Sequence, residues 1–373
     1  MRVLIVTPRA RDSNSFYRCM GPWSYLVKSG AVPGLTIAVA GDEVGREGLT
    51  WDVISRFDLV FMHRPCSQDH VTTIQVARNM GIPVWVEYDD WLLDVPRWNP
   101  NASVYNKASV HSAIASCIAF ADVVSVSTAA LYHEFKKINE NVVIIPNAYR
   151  TDLCGYAQEF KERKADFVWR GTNTHDADLL SVSSSFSSLP GRVTFLGSPP
   201  WQLLESMDKE KYRVVGPQDV MLYMRYLYNL APKVMLFPLV DCLFNHCKSN
   251  IAYQEAMHAG AYCVAPDLPE WRKPGVVTYT PGDAASFSRA ANEAYELATT
   301  NPSAVRLSHM PAMVEMYGIE NVNQIRASLL TLSVSKELKR NTRDPFDQLT
   351  GMWALSQLKG LVRENQKNEP FPK

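Results

Sequence analysis

Short runs of Val, Ile, Leu and Phe recur along the chain at strand length. Between them lie segments whose apolar residues return every three or four positions. The runs occupy residues 3–7, 35–39, 59–62, 84–87, 123–126 and 142–145, and then, beyond a polar interval, 167–170, 193–196, 214–215, 234–239, 261–265 and 276–280. Helical periodicity fills most of the gaps, at 68–80, 109–120 and 128–137 in the first half and at 177–186, 218–230, 250–258 and 284–299 in the second. The runs are continuously apolar rather than alternating, as in strands covered on both faces, and strands that alternate with helices build parallel sheets. The pattern predicts two doubly wound, Rossmann-like α/β domains, residues 1–150 and 165–310, separated by a polar stretch at 149–164 that ends in Lys161, Glu162, Arg163 and Lys164. From 303 to 340 the periodicity is helical and no strand follows. Residues 311–373 are therefore expected to hold C-terminal helices, one of them at 349–364, and a polar tail.

Composition narrows the class. The 373 residues are 46% hydrophobic and 20% charged with only 18 Gly, which excludes a mainly disordered or collagenous chain. No apolar run approaches the roughly 18 residues a membrane span needs. The N-terminus enters a strand at once and has no secretory leader, so a cytoplasmic protein is expected. The seven cysteines have no CxxC spacing and are expected to be free and mostly buried. Lys plus Arg equals Asp plus Glu at 38 each, which argues against a nucleic-acid binder that is basic over its whole surface. Charge is uneven locally: residues 1–30 carry Arg2, Arg9, Arg11, Arg18 and Lys28 against Asp12 alone.

Several chemistries lack their motifs. The turn after the first run reads Pro8-Arg9-Ala10-Arg11-Asp12-Ser13-Asn14-Ser15, without the GxGxxG of dinucleotide enzymes, and there is no P-loop, GxSxG elbow or HExxH. Ligands of open parallel sheets bind beyond the carboxyl ends of the strands, so two tandem sheets direct attention to the loops there. The richest window is 234–267. A strand ends near Pro238, a loop carrying Asn245 and Lys248 follows, and a helix starts with Ser249 or Asn250 as its expected cap. The free N–H groups of that helix start, with Lys248 beside them, suit a phosphate or diphosphate. Glu255, one turn further on, suits two ribose hydroxyls, and Gly260 ends the helix.

This window resembles the donor-binding segment of retaining nucleotide-sugar glycosyltransferases of the GT-B fold. Their Glu-x7-Glu motif and Ala-x-x-x-Gly helix end are matched at Glu255, Ala256 and Gly260, but the first Glu falls on Cys247. The stretch Phe244-Asn245-His246-Cys247-Lys248-Ser249-Asn250 is similar to a branch that reads Phe-Asn-x-x-Lys-Ser-Asn. Further likenesses lie at Phe16-Tyr17-Arg18, Arg64-Pro65, Glu87-Tyr88-Asp89-Asp90, Ile145-Pro146-Asn147 and Trp169-Arg170-Gly171-Thr172-Asn173-Thr174-His175-Asp176, so the resemblance runs from about residue 2 to 280.

The resemblance implies a GT-B enzyme that moves a sugar from a nucleoside diphosphate sugar, UDP-sugar first, to an acceptor hydroxyl. The donor would sit on the second domain and the acceptor on the first. It implies a donor site made of Arg18, Arg170, Gly171, Asn245, Lys248, Ser249, Asn250 and Glu255. Asp89, Asp90, Lys248 and His175 are the candidates for the chemistry: an acidic residue to take the acceptor proton and a cation for the leaving diphosphate. In the retaining type the leaving phosphate can take that proton itself. No metal or other cofactor is expected. The branch occurs in bacterial glycan synthesis and in bacteriophages, where such enzymes glycosylate hydroxymethylated pyrimidines of DNA. The basic N-terminal segment puts a DNA acceptor slightly ahead of a glycan or protein one, and the aromatics Trp91, Trp98 and Tyr105 are candidates to stack on a base or a sugar ring. A non-catalytic binding protein of the same fold and a nucleotide-sugar epimerase are the alternatives. Slow hydrolysis of UDP-sugar in the absence of acceptor and analysis of the product separate them.

Overall fold

The computed structural model describes residues 1–7, 12–40, 49–154 and 162–334. All twelve strands foreseen from the apolar runs are present: β1 (Arg2–Val6), β2 (Thr36–Ala40), β3 (Leu59–His63), β4 (Val84–Tyr88), β5 (Val123–Val126), β6 (Val142–Ile144), β7 (Ala165–Gly171), β8 (Val193–Gly197), β9 (Tyr212–Val215), β10 (Pro232–Leu236), β11 (Tyr262–Pro266) and β12 (Val276–Tyr279). They form two six-stranded parallel sheets, ordered β2-β1-β3-β4-β5-β6 and β12-β11-β10-β7-β8-β9. β3, β4, β5, β8 and β11 are buried at every residue, because helices cover both faces; the edge strand β2 is largely exposed. This is why the central runs read as continuously apolar.

Strand order reverses direction between β1 and β3 in the first sheet and between β7 and β10 in the second. At such a point the following helices leave on opposite faces and open a crevice at the carboxyl ends of the strands. The two sheets thus offer two crevices.

The domains are not independent of the C-terminal helices. The chain crosses from the first domain at Tyr149, pairs there with Gly318, and returns: Tyr149 N–H donates to Tyr317 O and Ile319 N–H to Tyr149 O. The helix Ile319–Val334 lies on the first sheet, where Ile319, Val322 and Leu330 join Val3, Ile5, Trp23, Phe61 and Trp85 in one apolar cluster. The helical pattern foreseen from 303 onward breaks into Met310–Tyr317 and Ile319–Val334 at Gly318, where a Cβ would lie 2.6 Å from Val314 O. The helix expected at 349–364 falls outside the described residues. Among the described residues no helix is long and apolar enough to cross a membrane. The cysteines are free, and five of the seven are buried.

Candidate functional site

Next to the β7–β10 crevice, the ends of β7 and β8 carry two glycines. Gly171 ends β7 and pairs in register with Gly197, which ends β8. Gly197 has φ +126°, and a Cβ on it would stand 1.9 Å from Gly171 O; a Cβ on Gly171 would stand 2.6 Å from the Trp169 ring and 3.2 Å from His175. Neither position accepts a side chain unless the neighbouring strand or the Trp169 ring moves. A cleft of about 540 Å³ opens beside them, walled by Arg170, Gly171, Thr172, Gly197, the 216–220 loop, Tyr223, Tyr226 and Glu255 from the second domain and by Asp12 and Ser13 from the first.

Glu255 is almost wholly buried at the wall of this cleft, on the helix Ile251–Ala259. One carboxylate oxygen, Oε2, accepts from Arg170 Nε at 2.7 Å and from the Tyr223 hydroxyl at 3.0 Å. The other, Oε1, accepts from the Tyr17 hydroxyl at 3.0 Å, across the domain boundary. The carboxylate is therefore held in one orientation by three donors, two of them absent from the sequence-based site. Burial, with the Glu255 charge next, pushes both tyrosine hydroxyls well above their ordinary range, so both remain protonated donors.

The loop between β10 and that helix stands at the crevice between β7 and β10. Asn245 is buried and donates to Asp178 Oδ1 at 2.8 Å and to Val240 O at 3.0 Å. Asp178 also accepts from Val240 N–H at 2.8 Å and pairs with His175 Nδ1 at 2.8 Å. Asp178 is thus the hub that shapes the loop and orients the His175 ring. Burial lowers the His175 pKa most strongly and the nearby Lys248 charge adds to it, while Asp178 opposes; the net direction is down, toward a neutral ring. Lys248 is half-buried with Nζ 4.5 Å from the centre of the Phe244 ring. Ser249 is half-buried beside it.

Asn250 stands at the N-cap position of Ile251–Ala259, but its side chain does not cap. It donates instead to the Tyr317 hydroxyl at 2.7 Å and accepts from Gln254 Nε2 at 3.2 Å. The cap expected from sequence is thus replaced by a tie to the returning C-terminal segment. Cys247, where the motif has its first Glu, is fully buried and packs with Cys242 and Phe244 into the apolar cluster of the first domain. Its carbonyl accepts from Thr128 Oγ1 at 3.1 Å. A carboxylate there would be stranded in an apolar interior, and the position serves to plug the loop into the first domain.

The first-sheet crevice is differently made. Arg64, at φ 53°, binds both acidic residues of the turn: its Nε contacts Asp89 Oδ1 and its Nη2 reaches Asp90 Oδ2 at 2.8 Å. Burial raises the Asp89 pKa, but the opposing charge of Arg64, then that of His63 and the Arg64 hydrogen bond, win and hold it near 2. Such a carboxylate has little drive to accept a proton at neutral pH, and of the two acidic residues Asp90 keeps the greater exposure. The reading of Arg18 is corrected. It is fully buried in the first domain, its Nε bonded to Glu87 Oε1 at 2.5 Å and its Nη1 to Ile145 O at 2.5 Å, so its charge is spent internally and does not face the donor cleft. Trp91 is fully buried against Phe135 and is not free to stack on a ligand, whereas Trp98 and Tyr105 keep partial exposure.

The chain matches no protein-family model, and no curated protein matches it in sequence. Solved structures do match. Alr3699/HepE of Anabaena in complex with UDP superposes with a TM-score of 0.61 at 12% identity, covering 89% of this chain and 100% of that one. A glycosyltransferase of Rickettsia africae gives 0.64 at 10% identity, covering 90% and 98%. AviGT4, a glycosyltransferase of avilamycin A biosynthesis, gives 0.57 at 13% identity, covering 90% and 98%. The fold is GT-B. At these identities the likeness concerns architecture, and the chemistry rests on the side chains of this chain.

Proposed function

We propose that the protein is a glycosyltransferase that takes a sugar from a UDP-sugar and passes it to a hydroxyl of an acceptor bound by the first domain. The observation that carries this reading is the Glu255 carboxylate, fixed by three donors at the wall of an open cleft at the strand ends of the second domain. In this reading Glu255 accepts from the ribose. Gly171 and Gly197 let the backbone approach the nucleotide, and Arg170 and Lys248 meet the diphosphate together with the start of Ile251–Ala259. His175, held neutral and oriented by Asp178, faces the transferring sugar, and Ser249 lies on the same loop. The leaving phosphate takes the acceptor proton, consistent with a retaining reaction, and Asp90 orients the acceptor. The fold shared with a UDP complex supports the choice of UDP.

For the acceptor, the alternative of a glycan or other polyol hydroxyl is the better supported. Of the five cations that suggested DNA, Arg18 is neutralised by Glu87 and Arg2 is paired with Asp58, Lys28 is exposed, and Arg9 and Arg11 lie outside the described residues. The first-domain side of the cleft presents Asp12, and Asp90 stands at the neighbouring strand ends.

Titration calorimetry with UDP, GDP and ADP tests the donor, with UDP expected to bind best and equally well in excess EDTA. Absence of UDP binding overturns the reading. Radiolabelled UDP-sugars offered with hydroxymethylpyrimidine DNA and with a nucleic-acid-free bacterial lysate test the acceptor. Label is expected in saccharide, and label in DNA that falls away with salt restores the other acceptor.

A further inference from the structure

Tyr17 belongs to the first domain, on the short helix Ser13–Arg18, yet its hydroxyl ends on a carboxylate of the second. The ring is fully buried, so its position is set by packing, and among the described residues the hydroxyl meets one other group, Met224 Sδ at 3.7 Å. A carboxylate offers about four acceptor directions. Arg170 and Tyr223 take both of those on Glu255 Oε2. Tyr17 takes one on Oε1 and leaves one.

Resting on the reading of Glu255 as the ribose ligand, we propose that Tyr17 is a positioning residue for the donor: its hydroxyl fixes Oε1 so that the remaining acceptor direction meets a ribose hydroxyl. The bond crosses from one domain to the other. The ribose grip is therefore complete only when the domains are together, and selection for ribose is tied to the closed arrangement. Arg170 and Tyr223 hold Oε2 alone and leave the carboxylate free to turn about that anchor. Preorganisation of this kind acts on affinity by removing the cost of ordering the group on binding.

The test compares UDP with 2′,3′-dideoxy-UDP, which lacks both hydroxyls, on the wild type and on Tyr17→Phe. A hydrogen bond to a charged group corresponds to about 10- to 100-fold in affinity, and the wild type is expected to prefer UDP by at least that factor. Tyr17→Phe keeps the ring and removes the donor. Its preference for UDP is expected to fall about tenfold while affinity for the dideoxy ligand stays the same, which a merely structural role would not produce. Tyr17→Met, a flexible apolar filler, repeats the measurement if the Phe variant does not fold. A preference unchanged from wild type overturns the proposal and leaves the donor reading standing. Tighter UDP binding by Tyr17→Phe also overturns it, since Tyr17 would then compete with ribose. A wild type that binds UDP no better than the dideoxy ligand breaks the underlying reading of Glu255.

Discussion

The strand ends of the two sheets in this protein are filled in opposite ways. In the first, the strand ends carry charges that satisfy one another: Arg64 with Asp89 and Asp90, Arg18 with Glu87. Thr7 Oγ1 at the end of β1 meets His63 Nδ1 at the end of β3 at 3.3 Å, closing the crevice itself. In the second, two adjacent glycines border an open cleft, and a carboxylate is locked in place with an acceptor direction to spare. A ligand site needs room and unspent polar groups together. Charge density by itself marked the first crevice as strongly as the second, and in the first most of that charge is consumed by the fold.

The glycine pair gives the sharpest way to break this contrast. Gly197→Ala sets a Cβ 1.9 Å from a backbone oxygen that no rotamer change can move, at a φ that L side chains rarely adopt. We expect a loss of at least about 3 kcal/mol in denaturant unfolding, at the upper end for single substitutions, and no measurable UDP binding. An alanine variant that binds UDP normally would show that the open space is not the nucleotide site. Next in size is Glu255→Gln, which removes the charge that all three donors meet and turns one accepting oxygen into an NH2 donor; it should weaken UDP binding about 10- to 100-fold by calorimetry. Asp90→Asn, in the other crevice, is expected to leave UDP affinity within about twofold and to reduce transfer to acceptor. Equal effects on UDP binding would erase the distinction between the crevices.

Each domain also buries a neutral histidine. Burial lowers the pKa of His63 in the first to about 3, against the opposing charge of Asp89. It lowers that of His258 in the second to about 4, against the opposing hydrogen bond to Met224 O; the ring also meets the Tyr149 hydroxyl at 2.7 Å. Between those values and the ordinary 6.5 the unfolded chain binds protons that the folded one refuses. The stability contributed by each of these histidines is therefore full above pH 6.5 and falls as pH drops, by about 1.4 kcal/mol per pH unit. His258→Gln should reduce the slope by about 1.4 kcal/mol per pH unit between pH 6 and 5 in denaturant titrations, and an unaltered slope would show that His258 does not carry its share. Within the donor side, the smallest expected effect is that of Lys248→Ala. A half-buried lysine over a ring that meets a diphosphate near solvent should contribute about 1 kcal/mol, seen as a roughly fivefold loss in UDP affinity that shrinks with added salt.

The fold was legible because it depends on averages over many residues. Apolar runs bounded by turn residues predicted every strand, and their alternation with helices predicted two parallel sheets. Boundaries moved by a few residues, as at β10, which starts at Pro232 rather than at 234. Part of the site was legible for the same reason: Gly171, Arg170 and Glu255 are local to a strand end and a helix start, and they do line one cleft.

What the sequence by itself determined, then, was the order of elements, the two-domain plan and the local chemistry at the strand ends. Tertiary structure decided which of that chemistry is still available. Whether an arginine such as Arg18 faces a ligand or a buried glutamate depends on Glu87, 69 residues away, and whether Glu255 is oriented depends on Tyr17, 238 residues away. Asn250 likewise gave up its cap for Tyr317, and Cys247 became part of the other domain's core. A polar group finds its partner in space, and a linear pattern carries periodicity but no record of which distant donor will arrive at a given acceptor.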